Sequence, residues 1–95
     1  MPRPRGRRRI GMNPIHNEFG PKGMGNIDFI NLSLEEYETI RLIDKENMTQ
    51  EQCAVSMEVA RTTVQKIYSD ARKKIADAII DGKTLIIESS NYNNI

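Results

Sequence analysis

The sequence has no tryptophan, one cysteine and one histidine, and its aromatics are three tyrosines and two phenylalanines. A lone Cys53 excludes an internal disulfide and a cysteine-based metal cage, and it fits a reducing cytoplasm, where the chain is expected to reside. Cys53 reads as a small core residue. His16 has no nucleophile or metal partner nearby in sequence and reads as a loop residue. With no visible His, Cys and carboxylate constellation, neither enzymatic activity nor a cofactor or metal is expected. No run of about 18 apolar residues is present, so no membrane partner is expected. The arginine-rich opening has no apolar stretch behind it, unlike a secretory signal. A chain of 95 residues accommodates one small domain with little room for a deep pocket.

What is present is charge, unevenly placed. The net charge is +1, yet residues 1–9 hold Arg3, Arg5, Arg7, Arg8 and Arg9 and no acid. The remainder holds nine basic and thirteen acidic residues, a net −4. Within it, residues 59–75 are basic again, with Arg61, Lys66, Arg72, Lys73 and Lys74 against Asp70 alone. Local charge density sets the field a phosphate feels, so near-neutrality does not argue against a polyanionic partner.

The chain divides into a basic arm (1–9), a domain (10–88) and a flexible polar tail (89–95). Pro and Gly keep the arm from forming a helix. Arg9–Met12 reads as a short strand ended by Pro14. Residues 13–26 have a turn-forming composition and read as a long loop, with Phe19 and Met24 pinning it to the core. Asp28–Leu32 is an extended lead-in. Ser33 with Glu36 makes a capping box opening a helix over about Leu34–Glu46, with Glu35, Glu36, Glu38 and Arg41 on its polar faces and the acids complementing its dipole. Thr49 with Gln52 repeats the box before a helix over Gln50–Met57. Val64, Ile67, Tyr68, Ala71, Ile75, Ala78 and Ile79 form the apolar stripe of a third helix over about Arg61–Asp81, with Gly82 at its left-handed C-cap. Leu85–Ile87 reads as a strand, and pairing it with Arg9–Met12 would cover the helix end.

Two helices joined by a tight turn and buttressed by a third make a trihelical helix-turn-helix. With Gln50 as the first of twenty positions, Cys53, Met57, Val59, Val64 and Ile67 fall where the helices need apolar residues to pack. Ala54 falls where they cross. Glu58 occupies the ninth position, where the turn favours positive φ and glycine; a glutamate there costs roughly 1 kcal/mol. On the third helix, Arg61, Thr62, Gln65 and Lys66 share the exposed side with Ser69. Arg suits guanine, Gln suits adenine, and Thr offers a methyl or a hydroxyl, so the first four read as base-contacting residues. Thr49 and Gln50 lie at a helix N-terminus suited to phosphate. Thr63, Ser69, Arg72 and Lys73 complete the expected phosphate contacts, with Lys74 beside them. The five arm arginines suit an adjacent minor groove.

The segments MPRPRGRRRI, FGPKG, LSLEEYETIRLID and Thr49–Leu85 resemble a small prokaryotic family of predicted DNA-binding proteins, uncharacterised protein family 0251, over Met1 to about Glu88. Its helix-turn-helix is similar to region four of bacterial sigma factors. The resemblance implies a mostly α fold, a trihelical, sigma-region-four-like helix-turn-helix with a long C-terminal helix and a small β element from the N- and C-terminal segments. It also implies a transcription regulator that binds double-stranded DNA. Members commonly carry lysine-cysteine at Gly6 and Arg7, glycine at Glu58 and serine at Ala60. The missing cysteine removes a metal or redox role from the arm, and Ala60 lacks the cap a serine supplies. An alternative reading is a module docking on the transcription machinery, RNA polymerase in particular, without DNA specificity of its own. A homodimer is expected, because Ile75, Ala78, Ile79 and Ile80 extend the apolar surface beyond what the two shorter helices cover.

Overall fold

The computed structural model of the protein describes residues 10–22 and 28–88. The arginine arm, Met24 and the tail from Ser89 lie outside the described residues. Among the described residues the fold comprises three helices and a small three-stranded sheet. Strand β1 is Glu18–Phe19, β2 is Phe29–Leu32 and β3 is Thr84–Ile87. Helix α1 is Leu34–Thr39 and winds on into a π-helical segment, Ile40–Lys45. Helix α2 is Gln50–Met57, and α3 is Arg61–Asp81.

Both capping boxes are formed. Ser33 Oγ accepts from the Glu36 amide at 3.1 Å and Glu36 Oε1 accepts from the Ser33 amide at 2.9 Å. Thr49 and Gln52 do the same at 3.1 and 2.9 Å. The expected helix over Leu34–Glu46 is present to within one residue, but its second half is wider than an α-helix. The Glu46 amide reaches back five residues to the Arg41 carbonyl, at 2.9 Å. Asn47, at φ 64°, then turns the chain out.

The sheet departs from the sequence reading. Its order is β1-β3-β2, with β3 antiparallel to β1 and parallel to β2. The lead-in before α1 is therefore a strand, and it occupies one edge of β3. Part of the expected loop, Glu18–Phe19, occupies the other. Ile10–Met12 forms no strand, for two reasons: both edges of β3 are taken, and the Gly11 amide is committed elsewhere. That amide donates to Glu38 Oε2 at 2.8 Å, while Ile10 packs on the second core cluster. Phe19 stays half exposed and does not pin a loop to the core.

Two clusters form the core. Leu42, Cys53, Ala54, Met57 and Val64 join the π segment, α2 and α3. Leu32, Leu34, Ala71 and Ile87 join the sheet, α1 and α3. Along the expected stripe of α3, Val64, Ala71 and Ala78 are buried, Ile67, Tyr68 and Ile75 are half-buried, and Ile79 is 71% exposed.

The acids of α1 also depart from expectation. Glu36 and Glu38 are buried, not on a solvated face. Glu38 takes Arg41 Nε on one oxygen at 3.0 Å, and Arg41 Nη2 and the Gly11 amide on the other at 2.9 and 2.8 Å. That hydrogen bonding holds the Arg41 guanidinium above its ordinary range, against the effect of burial. A Cβ on Gly11 would stand 2.5 Å from Arg41 Nη2, so only glycine lets the backbone approach this pair undisturbed. Glu36 Oε1 also accepts from Lys74 Nζ at 2.8 Å, tying α1 to α3.

Removing Arg41 leaves a buried carboxylate facing a single amide. Arg41→Ala is expected to cost about 3 kcal/mol in urea unfolding, at the lower end for breaking a buried pair. Burial pushes the Cys53 thiol up, so folding favours its neutral form. The stability this contributes is intact below the ordinary thiol range and is lost as pH rises through the raised value. The melting temperature of the wild type should therefore fall more steeply above pH 9 than that of Cys53→Ala, as followed by circular dichroism.

Candidate nucleic-acid interface

The candidate site is built on α2, α3 and the turn between them. Glu58 ends α2 at φ 62° and ψ 45°, the left-handed conformation expected at that position. Its amide and that of Val59 close the turn onto the Val55 and Ala54 carbonyls at 3.2 and 3.0 Å. Ala60 then starts α3 in extended conformation without a side-chain cap. With Ala54, Met57 and Val64 buried beneath this turn, α3 is fixed against α2 and its opposite side faces outward.

That outward side carries the residues singled out from sequence. Arg61, Thr62, Gln65, Lys66, Ser69, Arg72 and Lys73 are exposed, as is Thr49 at the start of α2; Thr63 and Gln50 are half-buried. Gln65 stands between Arg61 and Ser69 on successive turns. Arm residues Arg3, Arg5, Arg7, Arg8 and Arg9 lie outside the described residues.

The cations of this face each meet an acid. Arg61 pairs with Glu51 at 3.5 Å, Lys66 with Asp70 at 2.9 Å, Arg72 with Asp44 at 3.5 Å and Lys73 with Asp77 at 2.9 Å. The hydrogen bond to Asp77 holds the Lys73 ammonium above its ordinary range. Lys66–Asp70 and Lys73–Asp77 are i,i+4 pairs whose spacing is legible in the sequence. The other two are tertiary, and no local pattern announces them. Lys74 separates from the group. It turns to the buried Glu36 carboxylate and ties α3 to α1.

Asp44 and Tyr68 form a cluster that sequence reasoning missed, because Tyr68 reads there only as part of the apolar stripe. The Tyr68 hydroxyl donates to Asp44 Oδ1 at 2.7 Å, and the Arg72 guanidinium lies 5.5 Å from the Tyr68 ring centre. Burial first, then the bond to Asp44, pushes the phenol above its ordinary range. Asp44 thus orients Tyr68 and Arg72 together. His16 is exposed in the segment before β1. Among the described residues no group of three His, Cys, Asp or Glu is placed to hold a metal, and no helix is long and apolar enough to cross a membrane.

The family described as "Protein of unknown function DUF134" matches residues 1–95. A UPF0251 protein of Desulfitobacterium hafniense (strain Y51), DSY3441, is 50% identical over 94 residues, covering 97% of this chain and 75% of that protein. The chain belongs to the UPF0251 family. Further UPF0251 proteins include one from Halothermothrix orenii, 47% identical over 94 residues, with 97% of this chain and 70% of that protein covered. Another, Teth39_0655 of Thermoanaerobacter pseudethanolicus, is 43% identical, with 97% of this chain and 80% of that protein covered. No solved structure matches the chain.

The backbone at Ala60, extended at φ −71° and ψ 152°, is ready to accept a capping side chain. Ala60→Ser is expected to raise stability by about 1 kcal/mol in denaturant unfolding, without moving the m-value.

Proposed function

We propose that the chain binds double-stranded DNA through a helix-turn-helix of the sigma-region-four kind, with α3 as the recognition helix, and that it regulates transcription. The observation that carries this reading is the left-handed turn at Glu58, which holds α2 and α3 with Arg61, Thr62, Gln65 and Lys66 exposed together on the first turns of α3. In this motif those turns enter the major groove. The chemistry suits the position: a guanidinium, an amide and a hydroxyl are the side chains that distinguish base edges there.

The ion pairs on α3 are compatible with this role. An exposed pair contributes about 0–1 kcal/mol, so exchanging Asp70 or Asp77 for a phosphate costs little. The pairing also sets a division of labour. The domain, net −4 in the sequence outside the arm, contributes base reading and modest attraction, while the five arm arginines supply most of the salt-dependent affinity.

Selection of bound duplexes, followed by binding across a salt series, tests this. Gln65→Ala is expected to relax the preference at particular base pairs by about 1–3 kcal/mol. Lys73→Ala should weaken all sequences alike and lower the salt slope by about one. Deleting residues 1–8 should flatten the slope further and leave the melting temperature nearly unchanged. If no duplex is shifted at low salt, α3 does not read DNA, and docking on the transcription machinery takes its place.

A further inference from the structure

Asp44 stands near the end of the π-helical segment Ile40–Lys45, and such segments occur frequently at functional sites. Both of its carboxylate oxygens are engaged by α3. Oδ1 accepts from the Tyr68 hydroxyl at 2.7 Å, and Oδ2 lies 3.5 Å from Arg72 Nε. The Arg72 guanidinium is 5.5 Å from the centre of the Tyr68 ring, within reach of a cation–π attraction. One long side chain is thus held at two points, by a carboxylate at its Nε and by a ring beside its guanidinium. Its side chain nevertheless stays 64% exposed, against 34% for that of Asp44. Arg72 meets Asp44 through the nitrogen nearest its stem, so the Nη1–Nη2 edge of the fork remains for a partner that accepts two parallel hydrogen bonds, as a phosphate does.

The position along α3 suits that partner. Arg72 follows Gln65 by seven residues, nearly two full turns, so it stands on almost the same side of the helix and roughly 10 Å further along. The major groove is ~12 Å wide. With Gln65 at the base edges, Arg72 lies at the wall of the groove, where the phosphates run.

The geometry points to Asp44 as a positioning residue that acts through Arg72 to build a contact to one backbone phosphate of the duplex, with Tyr68 as the brace. The assignment rests on the proposed DNA reading and deepens it. An arginine free to swing through solvent loses that freedom when it grips a phosphate, and one already held loses less. This inverts the usual expectation for an acid on such a face. Removing an acid ordinarily relieves repulsion of phosphates and strengthens binding. Asp70, paired with a lysine of its own helix, is of that ordinary kind. Removing Asp44 instead sets Arg72 loose and weakens binding.

Fluorescence anisotropy of the full chain, with a selected duplex and an unrelated one across a salt series, tests this. Asp44→Ala is expected to weaken binding about threefold to tenfold, the worth of ordering one long side chain. Tyr68→Phe, which keeps the ring and loses the hydroxyl, should act in the same direction by about twofold. Both losses should fall on the two duplexes alike and leave the salt slope undiminished, because Arg72 still reaches its phosphate. Arg72→Ala should lower affinity and also lower the slope by about one. In the Arg72→Ala background, Asp44→Ala should cause no further loss. Asp70→Asn, with the same change of charge, should strengthen binding. An Asp44→Ala variant that binds as tightly as the wild type, or tighter, overturns the assignment while the DNA reading stands. So does a loss that persists in full beside Arg72→Ala, or one confined to the selected duplex, which marks a shift of α3 itself. If Asp44→Ala does not fold, an unchanged affinity in Tyr68→Phe overturns the assignment equally. A wild type that binds neither duplex removes the DNA reading and the phosphate contact together.

Discussion

A carboxylate taken out of water must be matched by donors, and in this protein that requirement organises the fold. Helix α1 buries two of them in a domain with little apolar material to spare. Glu36 is satisfied by the start of its own helix and by Lys74 of α3, and Glu38 by Arg41 and by the backbone at Gly11. Each solution joins parts of the chain far apart in sequence. The Lys74 contact fixes α3 against α1 midway along its length, and so determines which side of α3 faces outward. The Gly11 contact fixes where the segment behind the arginine arm meets the domain. Apolar packing supplies the bulk of the stabilisation, about 1.5–3 kcal/mol for each large side chain fully buried, but it is not directional. The carboxylates supply direction.

The elements that could be read from the sequence are those whose causes are local. A serine or threonine three residues before a glutamate or glutamine, an apolar residue every third or fourth position and a glycine after the last turn specify α2 and α3 to the residue, and α1 with its π-helical continuation to within one. The left-handed Glu58 was legible too, because it follows from counting positions between two packed helices. What escaped has non-local causes. The partners of β3 depend on which extended segments reach it, and Glu18–Phe19 looks like loop until it is paired. Glu38 looks like any solvated helix acid until Arg41 and Gly11 close over it. The candidate site divides the same way: its outward residues were visible as a helical face, whereas the tertiary pairs of Arg61 with Glu51 and Arg72 with Asp44 were not.

Those pairs give the outward face of α3 a character that composition hides. The stretch around it is among the most basic in the domain, yet each cation on it has an acid within 4 Å. Such a face offers geometry and hydrogen bonding more than bulk attraction. On the proposed reading, long-range attraction and close recognition are then assigned to separate parts of one short chain, the arm and the helix. Either can change without unfolding the other, since the cations of α3, apart from Lys74, are not part of the core.

The parallel pairing of β2 with β3 carries a consequence for how the protein comes into being. Leu32 and Ile87 are partners in the register, and the Leu34 amide donates to Glu88 across 54 positions. Every described helix lies between the two strands. β2 can therefore pair with β3 only after the helical hairpin between them has been synthesised. Until then Leu32 and Leu34 have no cover from the sheet side, and the edge of β2 is open to other chains. Closing so long a loop is the slow, entropically costly step. Strand β3 is thus a latch over helices already made, and the chain is most exposed to aggregation just before it shuts.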